Sequence, residues 1–404
     1  MDATATAPFL RHFRDLPDPR RHNVRHVLAD ILTIAILAVL CTADDWDDVV
    51  LWARARQDWL KTFLSLPKGI PSRDTFARVF ARLDPDAFER CFIAWTSDLA
   101  KAMGGGGGGD VGNGNGNGNG NGNGNGNGGG DGGIVAIDGK TLRRSFGHAW
   151  DRQTIHLVSA WAADHQLVLG QLAVADKSNE ITAIPKLLDL LDIKGATVTI
   201  DAMGCQREIA GDIREKAAHY VLSVKDNQPT LHERVRKLLD EARLEKFAGM
   251  SHGYFEETSA GHGRIETRKV WISDEVKWLG ADLLGQWPDL SSIAMVESTR
   301  EVPAKGVSIE RRYFISSHTG VDAAAMARRV RGHWGVENRL HWQLDMTFDE
   351  DASRIRKDHG AQNFSRLRRL ALNLLKRAPG KESLKGKRFR CSLDRDYLLR
   401  VLSQ

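Results

Sequence analysis

Three carboxylates stand where they could hold divalent cations on a phosphate: Asp138 in IVAIDGKTLRRS, Asp201 in ATVTIDAMGCQ and Glu337 in RGHWGVENRLHWQLDMTFDEDASR. Each Asp closes a short apolar, β-branched run, 134–137 and 197–200, which reads as a buried strand. An Asp at the end of such a strand is poorly solvated and fixed in direction, so it needs a backbone donor, a basic side chain or a cation. Taken singly, it reads as a turn carboxylate capping the next loop. Two of them with a helical Glu read as a set of hard oxygen ligands. Such ligands select Mg²⁺ or Mn²⁺, and two ions about 3.5–4 Å apart activate the attacking oxygen and stabilise the leaving one in an in-line displacement. Asp138 is the natural bridging ligand.

Helical geometry supports the third member. At about 100° per residue, His333, Glu337, His341 and Asp345 follow at i+4 steps and drift slowly around one face. Trp334, Leu340 and Leu344 lie near that stripe and can pack the helix on a sheet, leaving Glu337 to face the strand ends. A rival reading takes His333, Glu337 and His341 as zinc ligands, but the spacing is not that of a zincin helix. Asp349, Glu350 and Asp351 read as the solvated end of the helix.

These segments also carry a resemblance. DGKTLRRS, IDAMGCQ, YVLSVKDNQPTL, HGRIETR and HWGVENRLHWQLDMTFDEDASRIR, in this order, resemble the H-repeat-associated (ISAs-type) insertion-sequence transposases. So do DPRRHNVRHVLADILTIAILAVLC, WDDVVLWARARQDWL and LPKGIPSRDTFARVFARLDPDAFERCF nearer the N-terminus. The similarity covers nearly the whole chain apart from a Gly/Asn tract. It implies a DDE transposase with a ribonuclease H-like catalytic domain, in which Asp138, Asp201 and Glu337 are the catalytic and metal-binding triad. The implied reaction hydrolyses a phosphodiester at the element's end, and the freed 3′-hydroxyl then attacks target DNA. Related hairpin-forming transposases carry a Tyr-x2-Arg-x3-Glu-x6-Lys signature; its positions here hold Val330, His333, Glu337 and Leu344, so only Glu is kept and the hairpin mechanism does not transfer. Double-stranded DNA is the expected partner, both as the element's terminal inverted repeats and as target, with a homodimer in the synaptic complex. Two other functions stay open: a metal-dependent nuclease that cuts without joining, and a non-catalytic DNA-binding remnant.

The elements that must position the triad follow from pattern. Apolar runs at 154–163 and 166–175, with a turn at Asp164-His165, read as a hairpin beside the Asp138 strand. A helix over 180–191, the Asp201 strand, a helix over 206–218 and a strand over 220–224 complete an α/β domain with a mixed sheet, expected over 134–378. From about 227 to 317 a charged helical stretch and the strand-like GRIETRKVWIS, SSIAMVEST and ERRYFISS read as a β-rich insertion before the Glu337 helix. Residues 1–103 read as a separate all-α domain with helices at 22–41, 45–64, 74–83 and 86–102, Ser72 or Asp74 as a cap, and a possible recognition helix presenting Arg73, Arg78 and Arg82 near Arg20, Arg21 and Arg25. Residues 104–133, almost pure Gly and Asn-Gly repeat, read as a flexible linker.

Composition bounds the rest. With 404 residues and 42% hydrophobic content, the chain can bury two or three cores. Cys41, Cys91, Cys205 and Cys391 form no CxxC pair, which fits buried thiols in a reducing cytoplasm rather than a disulfide scaffold. The apolar run 31–41 is shorter than the roughly 18 residues of a membrane span. Net charge is only +5, but Ala352–Gln404 holds 15 Lys/Arg against 4 Asp/Glu, whereas Met1–Met103 holds 14 of each. Arg354, Arg356 and Lys357, then Arg366, Arg368, Arg369, Lys376 and Arg377, are therefore read as phosphate-binding, with 379–404 as a basic tail. Further DNA contacts are expected from Lys140, Arg143 and Arg144 beside the first Asp, and from His333, Asn338 and His341 on the Glu337 helix.

Overall fold

In a computed structural model of the chain, residues 7–21, 24–104, 132–145, 154–174, 179–261, 263–303 and 306–403 are described. The expected flexible linker lies outside them except for its ends. Nine strands form one mixed sheet: β1 (Ile134–Thr141), β2 (His156–Ala162), β3 (Leu167–Val174), β4 (Thr197–Ile200), β5 (His219–Val224), β6 (Gly253–Gly261), β7 (Arg264–Ser273), β8 (Ser292–Val302) and β9 (Gly306–Ser316), in the order β3-β2-β1-β4-β5-β9-β8-β7-β6. β1, β4 and β5 are parallel; on one side β2 pairs antiparallel with β1 and β3 antiparallel with β2, so that β2 alone of these five runs against the rest. That half is the ribonuclease H-like arrangement. The short β4 is buried along its whole length, as its unbroken β-branched sequence requires.

The insertion is not a separate sheet. β9 pairs with the β5 edge and β8, β7 and β6 follow, so four antiparallel strands extend the catalytic sheet and cover its exposed edge. β6 has no counterpart in the sequence expectation, because its GYFEETSAG stretch is charged, small and mostly exposed. Two helices, α5 (Glu180–Leu190) and α6 (Arg207–Glu215), connect the parallel strands, and α7 (Pro229–Leu244) precedes β6. They share a core with one face of the sheet through Ile184, Leu187, Ile209, Ile213, Val235 and Leu239.

Against the opposite face lies α8 (Ala323–Val336), continued by a π-helical turn over Glu337–His341 into α9 (Trp342–Phe348). Close approach is made possible by Gly332, where an added Cβ would stand 3.0 Å from Ile134 Cδ1 on β1. Leu340, Leu344 and Phe348 are fully buried and fasten the helix.

The N-terminal helices are α1 (Leu28–Leu40), α2 (Trp46–Ala55), α3 (Arg73–Arg82) and α4 (Pro85–Gly104). Ser72 caps α3 by accepting from the Thr75 N–H, and Asp45 caps α2 through Asp47 and Asp48. These helices share one hydrophobic core with α10 (Gly360–Arg377) and with α11 (Leu384–Leu393) and α12 (Arg395–Leu402), and that core reaches Ala136 and Trp161 of the sheet. Two expectations are corrected here. Residues 1–103 do not build a core of their own, and the residues described from 379 onward are not a tail, since Cys391, Tyr397, Leu398, Val401 and Leu402 are buried.

A third correction concerns charge. Arg366, Arg368 and Arg369 on α10 are buried rather than offered to phosphate. Arg366 pairs with Glu89 of α4; Arg369 donates to Glu350 at 2.9 Å, and Arg368 to the Asp44 carbonyl at 3.3 Å. Arg388 of α11 likewise donates to the Asp44 carboxylate and the Ala43 carbonyl at 2.7 and 3.0 Å. Each charge is hydrogen-bonded inside, which is the condition under which burial is tolerated. All four cysteines are unpaired thiols, and among the described residues no helix is long and apolar enough to cross a membrane.

Candidate active site

Asp138 is the fifth residue of β1, and Asp201 follows the last residue of β4. Because Ile137 registers with Ile200 across the parallel pair, the two aspartates stand side by side, Asp201 just past the carboxyl end of β4 and Asp138 in the carboxyl-terminal half of β1. Crevices at that end of an open parallel sheet are where ligands bind. Asp201 Oδ1 accepts from the Met203 and Gly204 N–H groups at 3.1 and 3.4 Å. It therefore does cap its turn, and those bonds also fix the direction of the carboxylate.

Strand and helix periodicities place the third carboxylate. Asp138 and Lys140 share a face of β1 because side chains alternate. Along the facing helix, His333 meets Thr199 of β4 with Nδ1 3.2 Å from the hydroxyl, His341 Nε2 lies 3.4 Å from Asp138 Oδ2, and Asp345 pairs with Lys140. Glu337 sits on this stripe between His333 and His341 and is exposed. The π turn helps: it holds more residues per turn than an α-helix, so the four-residue step from Glu337 to His341 comes nearer one full turn. Such single-turn π segments are frequent at functional sites.

Asp138 is held in an unfavourable electrostatic setting. Burial raises its pKa to about 7, Asp201, Glu337 and Glu180 add to the rise, and a hydrogen bond from the Gly139 backbone opposes it. Among the described residues no lysine or arginine forms an ion pair with Asp138. Lys140 is 8% exposed and bound by Asp345, Glu350 and Asp351. His341 is neutral, its pKa pushed down to about 3 by burial and then by Arg369 and Lys140. Burial likewise lowers His333. All three carboxylates offer hard oxygens, so donor chemistry and uncompensated charge suit divalent cations. Among the described residues no group of three or more His, Cys, Asp or Glu is already close enough to hold a metal ion.

Several residues escaped the sequence. Glu180, the first residue of α5, is buried against His156 of β2, whose Nδ1 is 2.8 Å from the Thr141 hydroxyl. An added Cβ at Gly139 would collide with both Glu180 and His156, so a glycine must follow Asp138. Nothing at position 180 marks this; a Glu in a first helical turn is ordinary dipole chemistry. Glu350, expected in solvent, is buried with Arg369, Ser365 and Lys140, and its pKa is pulled down to about 2 although burial alone would raise it. His333 and His341, the histidines of the rival zinc reading, attach to different strands. Of the expected DNA contacts, Lys140, His333 and His341 therefore turn inward. Arg143, Arg144, Asn338, Arg354 and Lys357 are exposed, and Arg356 donates to the Arg144 carbonyl at 2.8 Å.

Comparison with known proteins gives the family. Residues 129–374 match the family described as Transposase DDE domain, and residues 10–96 match the DDE_Tnp_1-associated family. "Putative transposase YncI" of Escherichia coli O157:H7 is 38% identical over 96% of this chain and 92% of its own. "H repeat-associated putative transposase YhhI" of Escherichia coli K12 is 35% identical over 98% and 97%. A Xanthobacter autotrophicus protein named "Uncharacterized protein in dhlA 3'region" is 42% identical over 78% and 97%. Paired strand-end aspartates, a facing helical glutamate and similarity along nearly the full length place the chain in the H repeat-associated family of DDE transposases.

Proposed function

We propose that this transposase cuts DNA strands at the ends of its insertion element and transfers the freed ends to target DNA, using Asp138, Asp201 and Glu337 as catalytic and metal-binding residues. The observation that carries this reading is Asp138 itself: a mostly buried carboxylate beside two others, with its nearest lysine fully engaged elsewhere. Two Mg²⁺ or Mn²⁺ ions held there would supply activation of the attacking oxygen and stabilisation of the leaving one. Asp138, Asp201 and Glu337 would hold them, with Asp201 fixed in direction by its turn and Glu337 standing on the facing helix. Arg143, Arg144, Asn338, Arg354, Arg356 and Lys357 hold the phosphate backbone, while Lys140, His333 and His341 support the carboxylates from within. The enzyme works in the cytoplasm, and a homodimer brings two element ends together.

The test is cleavage and joining of a labelled duplex carrying the native ends, with Mg²⁺ or Mn²⁺, in wild type and Asp201→Ala. Cut and joined products that vanish in the variant support the proposal. Cutting without joining would leave a nuclease; DNA binding with neither product would leave a remnant.

A further inference from the structure

A second basic surface lies far from the carboxylates in sequence, in the segment that matches the DDE_Tnp_1-associated family. Arg20, Arg21 and Arg25, from the extended stretch before α1, meet Arg78 and Arg82 of α3 around a groove of about 950 Å³, with His26 on its wall. Among the described residues no carboxylate lines it. Arg20 is tied to Asp18 at 2.6 Å, and Arg78 Nε donates to the Asp74 carbonyl at 3.1 Å, which orients its guanidinium without neutralising it. Arg21, Arg25, Arg78 and Arg82 have no carboxylate partner among the described residues. Burial and then Arg20 lower the His26 pKa, as a positive field would.

We infer that this groove binds the sugar-phosphate backbone of duplex DNA, as an anchoring site separate from the cleavage site. Gathering Arg21, Arg25, Arg78 and Arg82 without carboxylate partners around the paired Arg20 costs repulsion in the free protein, and an anionic occupant relieves it. Guanidinium forks fit phosphate oxygens by geometry as well as charge. Its arginines come from two separate segments of the chain, so they can meet more than one phosphate of a duplex. Duplex DNA is the chosen occupant because the inference rests on DNA being the substrate of this transposase.

Arg78→Glu/Arg82→Glu tests it in the full-length chain carrying Asp138→Ala, in EDTA, by fluorescence anisotropy on a random-sequence duplex across a salt series. The expected result is binding at least tenfold weaker, with the log–log salt slope reduced by about 2, since each phosphate contact contributes about 0.9. Lys277→Glu, a charge reversal outside the groove, leaves both unchanged. Arg21→Gln/Arg25→Gln, which touches no helix, repeats the loss should the α3 variant fail to fold. Unchanged affinity and slope in folded variants, or a loss confined to single-stranded RNA, overturns the inference. Because neither metal nor Asp138 takes part, this failure is separate from any failure of the cleavage reading.

Discussion

Asp138 and Lys140 stand two residues apart on one face of β1 and look onto the same helix, yet they belong to opposite kinds of polar cluster. Around Lys140, the charges of Asp345, Glu350 and Asp351 are answered by the lysine itself and, at Glu350, by Arg369. Around Asp138, Asp201, Glu337 and Glu180 add negative charge, and among the described residues no lysine or arginine pairs with Asp138. Acidity is common to both, so it is the missing counter-charge that marks a binding site. The compensated cluster clamps helix to strand, and the uncompensated one is carried by that clamp.

The largest expected effect separates the two directly. Glu337→Ala reduces Mg²⁺-dependent cleavage by about a thousandfold or more, some 4 kcal/mol of barrier, while thermal stability stays unchanged because the side chain is exposed. A stable variant that still cuts would move the third ligand elsewhere. Glu350→Ala does the reverse. It leaves Arg369 buried without its carboxylate and takes one of three from Lys140, and chemical denaturation registers a loss of about 3–5 kcal/mol. The pH dependence follows from its sign: the folded pKa near 2 lies below the ordinary 4.5, so this stabilisation is complete above about pH 4.5 and is lost as pH falls toward 2. A denaturation midpoint unmoved by Glu350→Ala would break the comparison.

Asp138→Asn stabilises the metal-free protein by about 1–3 kcal/mol at pH 8. Its folded pKa near 7 lies above the ordinary 3.8, so the wild type is penalised at pH 8 and regains stability as pH falls through 7 toward 4. The Asn variant lacks that part of the pH profile, and parallel melting curves at pH 5 and 8 check it. The smallest effect concerns Glu180, which touches both worlds through His156. Glu180→Gln lowers cleavage by roughly ten- to a hundredfold, as loss of supporting groups around a metal site does, with the deficit narrowing at high Mn²⁺. An unaltered rate assigns Glu180 to the scaffold.

Much of the fold was readable because it depends on local pattern. The runs 134–137 and 197–200, the 156–174 hairpin, the helices after β3 and β4, and the cap at Ser72 each follow from near neighbours. The His333, Glu337, His341 and Asp345 stripe was readable for the same reason. What failed was the inference from charge counts. The surplus of arginine after residue 351 pointed to phosphate, but Arg366 is answered by Glu89 and Arg388 by Asp44, hundreds of residues away. The charge-balanced N-terminal region instead leaves arginines facing an open groove, since its acids cap helices or face other directions.

By itself the sequence determined the carboxylates, their strand-end and helical settings, and through its motifs the family. Only the tertiary structure decided which charges are spent and which are open. It joined the insertion to the catalytic sheet, turned the apparent tail into core, buried Glu350 and brought Glu180 beside Asp138. The physical reason is that periodicity is set within a few residues, whereas the pairing of a charge depends on whatever the folded chain places opposite it in a poorly solvated interior.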